Sequence, residues 1–163
     1  MKQVWYVFVL VFMLNSNAFG LELRGVKHSA QQGVILNGDA PTLLVAYRTE
    51  LKLKHSVINP IAQLSLVTHN KTQLTLVPRF SVGATARLDI FEIVPYVSGR
   101  LGTQLNGGGS VRGTLSIGGE RIYQDGWFYN LEAGAQLPLT RRASVGGILL
   151  FGFGLATNFD ELV

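Results

Sequence analysis

The residues of this 163-residue chain best suited to nucleophilic chemistry are three histidines and the serines beside two of them, His28-Ser29 and His55-Ser56. A histidine activates a serine by taking its proton, and a third group must hold the imidazole in place. Sequence neighbours on a strand point to opposite faces, so neither pair is a working dyad by itself. His69 falls in a polar turn segment, His69-Asn70-Lys71, and reads as a solvated residue. Three isolated histidines, in a chain with no cysteine, do not make a metal site. Gly107-Gly108-Gly109 lacks the following lysine and the strand-to-helix context of a phosphate loop. No basic run is interleaved with aromatics, so nucleic-acid binding has no support. The expectation is a chain that is not an enzyme and carries no cofactor.

A second set of reactive groups is spaced at intervals of two and belongs to strands. From Leu43 to Lys54, the residues Leu43, Val45, Tyr47, Thr49, Leu51 and Leu53 oppose Leu44, Ala46, Arg48, Glu50, Lys52 and Lys54. From Gln73 to Leu88, Leu76, Phe80, Val82 and Leu88 share one face, and Arg79, Ser81, Thr85 and Arg87 the other. Val97 and Leu101 oppose Arg100, Val111 and Leu115 oppose Arg112, and Trp127, Tyr129 and Leu131 oppose Glu132. A helical period would scatter these sets; a period of two sorts them. Turn chemistry separates the runs at Asn59-Pro60, His69-Asn70-Lys71, Asn106 to Gly109, Gln124-Asp125-Gly126 and Thr140-Arg141-Arg142. This predicts seven strands from Thr42 to Phe159. Leu21 to Gly38, with Gly25 and Gly33, supplies an irregular first one. Pro78 is expected to lie just outside the embedded part of its strand.

Composition and the two ends of the chain set the surroundings. Charged residues are 15% and glycines number 19, a low-charge, glycine-rich balance suited to strands curving round a narrow barrel. Val4 to Leu14 is an apolar run after Met1-Lys2, followed by small residues up to Gly20. It is short for a membrane helix and has the layout of a cleaved signal peptide. The expected division is residues 1–20 as signal peptide and 21–163 as one domain, exported from the cell's interior. At the other end, Val145, Leu149, Phe151, Phe153, Leu155 and Phe159 line one face, backed by Gly146, Ile148, Leu150, Gly152 and Gly154.

That terminal strand, with its aromatic end, resembles the C-terminal pattern of bacterial outer-membrane barrels, here followed by Asp160 to Val163. The whole mature chain is similar in kind to small barrels of the OmpX, OmpA-barrel and opacity-protein type. The resemblance implies an all-β, closed antiparallel up-and-down barrel of eight strands, transmembrane and resident in the outer membrane. Outer-membrane lipid is then its solvent, and the barrel assembly machinery its partner during insertion. On this reading the apolar face meets lipid. The interior receives Arg48, Glu50, Lys52, Arg79, Arg100, Arg112 and Glu132, with Lys54 and Arg87 at the rim. An interior this narrow is expected to be filled by side chains, with Glu50 and Glu132 pairing with arginines. The aromatic residues Phe91, Tyr123, Trp127, Tyr129 and Phe159 fall at the end that holds both termini and read as an interfacial girdle.

Two alternatives remain open on sequence grounds. A soluble periplasmic barrel would turn the same leucines and valines inward round an apolar ligand. An outer-membrane lipid A-modifying enzyme would build a distributed site round a His–Ser couple. The second is tested directly: on the non-enzymatic reading, replacing Ser29 and Ser56 by alanine is predicted to leave lipid A acylation unchanged, as read by mass spectrometry of extracted lipid A. An altered acyl pattern would restore the enzyme.

Overall fold

A computed structural model describes residues 23–37, 40–54, 56–69, 75–88, 92–105, 110–140 and 145–158. The expected signal peptide, Phe91 and Phe159 lie outside the described residues. Eight strands follow one another: β1 Leu23–Asn37, β2 Ala40–Leu53, β3 Ile58–His69, β4 Thr75–Arg87, β5 Ile93–Gln104, β6 Val111–Ile122, β7 Trp127–Pro138 and β8 Gly146–Asn158. Each pairs antiparallel with its sequence neighbour, and β8 returns to β1 to close the barrel. All-antiparallel closure needs only hairpin connections, which is why short turns separate the runs.

β1 is far more regular than its sequence suggests. Against β8 it runs without a break from Gly25 opposite Asn158 to Leu36 opposite Gly147. A single irregularity against β2 falls between Leu23 and Gly25. Weak local alternation is overridden here because β1 has a strand on each side. Two other boundaries move. Asn59-Pro60 is not a turn but the start of β3, and the connection lies just before it. Asn59 turns inward and its Oδ1 accepts the Leu53 amide at 3.0 Å. Pro78 lies inside β4, opposite Leu66. Pairing of β4 with β5 starts one residue later, at Arg79 opposite Gln104. The Pro78 carbonyl still accepts the Leu105 amide at 3.0 Å, so the missing N–H costs one bond at the very end of that ladder.

The β6–β7 hairpin matches its turn residues. Gly126 has φ +83°, a conformation glycine adopts without strain. Its amide donates to Tyr123 O at 3.0 Å, and the Tyr123 amide to Trp127 O at 2.7 Å. Gly154 answers a different need. A Cβ there would run into the backbone oxygen of His28 and the ring of Phe128. Only glycine lets β8 approach β1 beside an inward-facing aromatic.

The two barrel faces have opposite polarity. Leu43, Val45, Leu64, Val82, Val97, Leu101, Leu115, Ile117, Leu131, Phe151 and Phe153 all face outward, Phe153 with 57% of its surface exposed. Inside are Lys27, Arg48, Glu50, Arg87, Arg100, Glu120 and Glu132, all buried. A soluble ligand-binding barrel requires the reverse arrangement, so the soluble alternative loses its structural basis. One part of the interior is apolar: Ile35, Leu44, Ala46, Val67, Ile148 and Leu150 cluster on the β1–β2–β3 and β8 side.

Val82 lies on the outward face with 46% of its surface exposed. Val82→Arg is predicted to weaken membrane assembly by about 2–4 kcal/mol for a midplane site. Folding into lipid vesicles, followed by gel mobility, measures this; insertion equal to the parent chain would contradict the face assignment.

Candidate functional site

The main constellation is a chain of ion pairs across the middle of the lumen. Its members come from β1, β2, β4, β5, β6 and β7, and each is held inward by strand parity. Glu132, with none of its surface exposed, is the hub. It accepts from Arg48 Nη1 at 2.8 Å, from Arg100, from Ser116 Oγ at 2.7 Å and from Tyr96 Oη at 3.2 Å. Arg48 also donates to Thr85 Oγ1 at 2.6 Å and reaches Glu50 at 3.6 Å. Glu50 in turn accepts from Arg87 Nε at 2.6 Å and from Arg87 Nη2. Arg87 and Lys27 both pair with Glu120. Arg100 extends the chain to Gln63.

Aromatic faces complete the packing. Lys27 Nζ lies 4.3 Å from the centroid of the Phe128 ring. Tyr96 has Arg87 at 5.1 Å and Arg48 at 5.6 Å over its ring, and its hydroxyl accepts from Asn130 at 3.0 Å. A cation over a ring gains from the ring's quadrupole, most where water is excluded. Among these buried groups four cations, Lys27, Arg48, Arg87 and Arg100, face three carboxylates, Glu50, Glu120 and Glu132. Desolvating charge on this scale is sustainable only because every member has a partner of opposite sign.

Of the residues singled out from sequence, Arg48, Glu50, Arg100 and Glu132 meet in this one network. Lys52 is half-buried nearer the end that carries the termini. Arg79 and Arg112 are half-buried towards the other end and take no part in the network. Arg87, expected at the rim, is one of the central members. Lys27 and Glu120 were not singled out. Glu120 continues the Arg112, Thr114, Ser116, Gly118 face, so its parity was readable had the strand been carried past Gly118-Gly119. Lys27 sits in the first strand, whose alternation is too weak to assign faces.

Tyr123, Trp127 and Tyr129 are exposed at the end of the barrel where the chain enters and leaves. The rings of Tyr123 and Tyr129 lie 6.0 Å apart, tilted, and the Arg121 guanidinium stands 5.8 Å from the Tyr123 ring.

Histidine chemistry is not assembled at His28-Ser29. Ser29 is buried inside, whereas the His28 ring stacks on outward-facing Tyr47 at 5.9 Å and its Nδ1 lies 2.8 Å from the Tyr47 hydroxyl. His55 lies outside the described residues, and Ser56 bonds the backbone of Ile58. No group of three or more histidine, cysteine, aspartate or glutamate residues placed to hold a metal occurs among the described residues.

Removing one partner from a buried network leaves the others uncompensated. Glu132→Gln, which strands Arg48 and Arg100, is predicted to cost about 3–5 kcal/mol of stability. The urea midpoint of the refolded barrel in detergent, read by gel mobility, tests it; an unchanged midpoint would mean the network contributes nothing.

No protein-family model matches the chain, and no curated protein matches it. Solved structures do. Neisserial surface protein A aligns at 15% identity and TM-score 0.54, over 80% of this chain and 95% of that one. The N-terminal β-barrel domain of Pseudomonas aeruginosa OprF aligns at 15% identity and TM-score 0.57, over 83% and 99%. The de novo designed barrel TMB2.3 aligns at 12% identity and TM-score 0.55, over 82% and 94%. At these identities the likeness concerns the fold alone: the chain has the closed eight-stranded architecture of small outer-membrane β-barrels.

Proposed function

We propose that this protein is a non-enzymatic integral barrel of the outer membrane, with a structural or surface role and an interior plugged by its own ion pairs. The carrying observation is the inverted polarity of the wall, with leucine, valine and phenylalanine outside and paired charges inside. Such a surface is unstable in water and matched to hydrocarbon. Residues 1–20 direct export and are removed. The barrel assembly machinery inserts the rest, and the exposed Tyr123, Trp127 and Tyr129 anchor it at the membrane–water interface.

The plugged interior is supported by the space left inside the network. Between Lys27, Arg48, Glu50, Arg87 and Glu120 remains a void of about 10 Å³, at the lower limit for a single water. A conducting path needs a continuous file of such spaces. An eight-stranded barrel is wide enough only for side chains to fill.

Two measurements test this proposal. Cell fractionation is predicted to place the protein in the outer membrane, as a band whose gel mobility shifts on boiling. A soluble, unshifted band would refute the membrane reading. In planar bilayers the parent barrel is predicted to show no steady conductance, whereas a stable open level would refute the plug.

A further inference from the structure

The end of the lumen away from the termini holds charges that the ion-pair network does not use. Arg79 on β4 and Arg112 on β6 project inward on either side of β5, opposite Gln104 and Gly102. In both residues Nε and Nη1 are buried and have no hydrogen-bond partner among the described residues. Together with Ser110, Ser81 and Thr114 they line a cavity of about 40 Å³, with Arg100 at its floor. That is room for about three waters or one small oxyanion.

None of the described residues lining this cavity is negative. The nearby carboxylate, Glu132, is already held by Arg48 and Arg100. Buried donors of like charge, with no carboxylate between them among the described residues, are costly unless something of opposite charge joins them. Ser110 Oγ lies unpaired in the same cavity and adds a third donor.

We propose that this cavity is an oxyanion site of the phosphate class, with Arg79 and Arg112 clamping the ligand between their guanidinium forks. Planar forks bond two oxygens of a phosphate at once, which an ammonium does not. The acceptor Gln136 Oε1, also unpaired and also lining the cavity, is satisfied by the P–OH of hydrogen phosphate or a phosphomonoester. A free phosphate and the headgroup of a phosphomonoester lipid present the same chemistry, and the test separates them.

The full mature chain is refolded in neutral maltoside micelles, and thermal unfolding is followed by gel mobility. Inorganic phosphate is titrated against chloride at constant ionic strength. In a parallel arm, phosphatidic acid is compared with diacylglycerol, which lacks the phosphate. Inorganic phosphate is expected to raise the unfolding midpoint saturably. The double variant Arg79→Gln, Arg112→Gln is expected to bind about tenfold more weakly or worse. In phosphate-free buffer the same variant should unfold no earlier than the parent, since it removes a repulsion and no ion pair. Stabilisation by phosphatidic acid alone assigns the site to a lipid headgroup. A parent barrel that responds to neither, or a glutamine variant that responds as the parent does, overturns the proposal. Should the glutamine variant not fold, Arg79→Lys with Arg112→Lys keeps the charge and loses the forks; parental affinity there also overturns it. Failure leaves the plug intact, because neither arginine belongs to it.

Discussion

A backbone N–H or C=O in hydrocarbon has no water to bond, and an open sheet edge presents a whole row of them. Pairing of β1 with β8, unbroken from Gly25 opposite Asn158 to Leu36 opposite Gly147, removes both edges at once. Other features of the structure follow from this seam. It forces eight strands into a narrow tube. It requires glycine at Gly154, where β8 meets the His28 backbone beside Phe128. It also makes a regular strand of β1, whose own residues alternate poorly. The start of β1 and the end of β8 thereby become neighbours, and the barrel closes only once its last strand is in place.

Closure leaves an interior with room for side chains and little else. Charges there are excluded from water, so each depends on another for its solvation. Glu132 is the clearest case, since its oxygens accept from Arg48, Arg100, Ser116 and Tyr96. The Glu50–Arg87–Glu120–Lys27 arm does the same nearer the termini. Tyr96 and Phe128 add rings beneath cations that the carboxylates already hold. The interior is therefore graded: paired charges across the middle, and beyond them an apolar wall of Ile35, Leu44 and Ile148 near two arginines with no carboxylate partner among the described residues.

Much of this was legible in the residues. That Arg48, Arg100 and Glu132 lie on the face opposite Val82, Leu115 and Phe153 follows from counting by twos. Gln124-Asp125-Gly126 marked its hairpin. The readings that shifted are those where a local cue competed with a neighbouring strand. Asn59-Pro60 carries turn chemistry yet begins β3, because Asn59 bonds back to β2. Gly118-Gly119 interrupts side-chain alternation without ending β6, which hid Glu120.

Side-chain direction on a strand is a local property, repeating every two residues, so the chain alone determined which groups share a face; that the apolar face looks outward was decided by the closed barrel. Nor could the chain alone determine who meets whom. Lys27 and Glu120 are 93 positions apart and share a hydrogen bond only because they stand at one level of a closed tube. Partnership across a lumen depends on the stagger between strands, and that is a property of the closed sheet rather than of any segment in it.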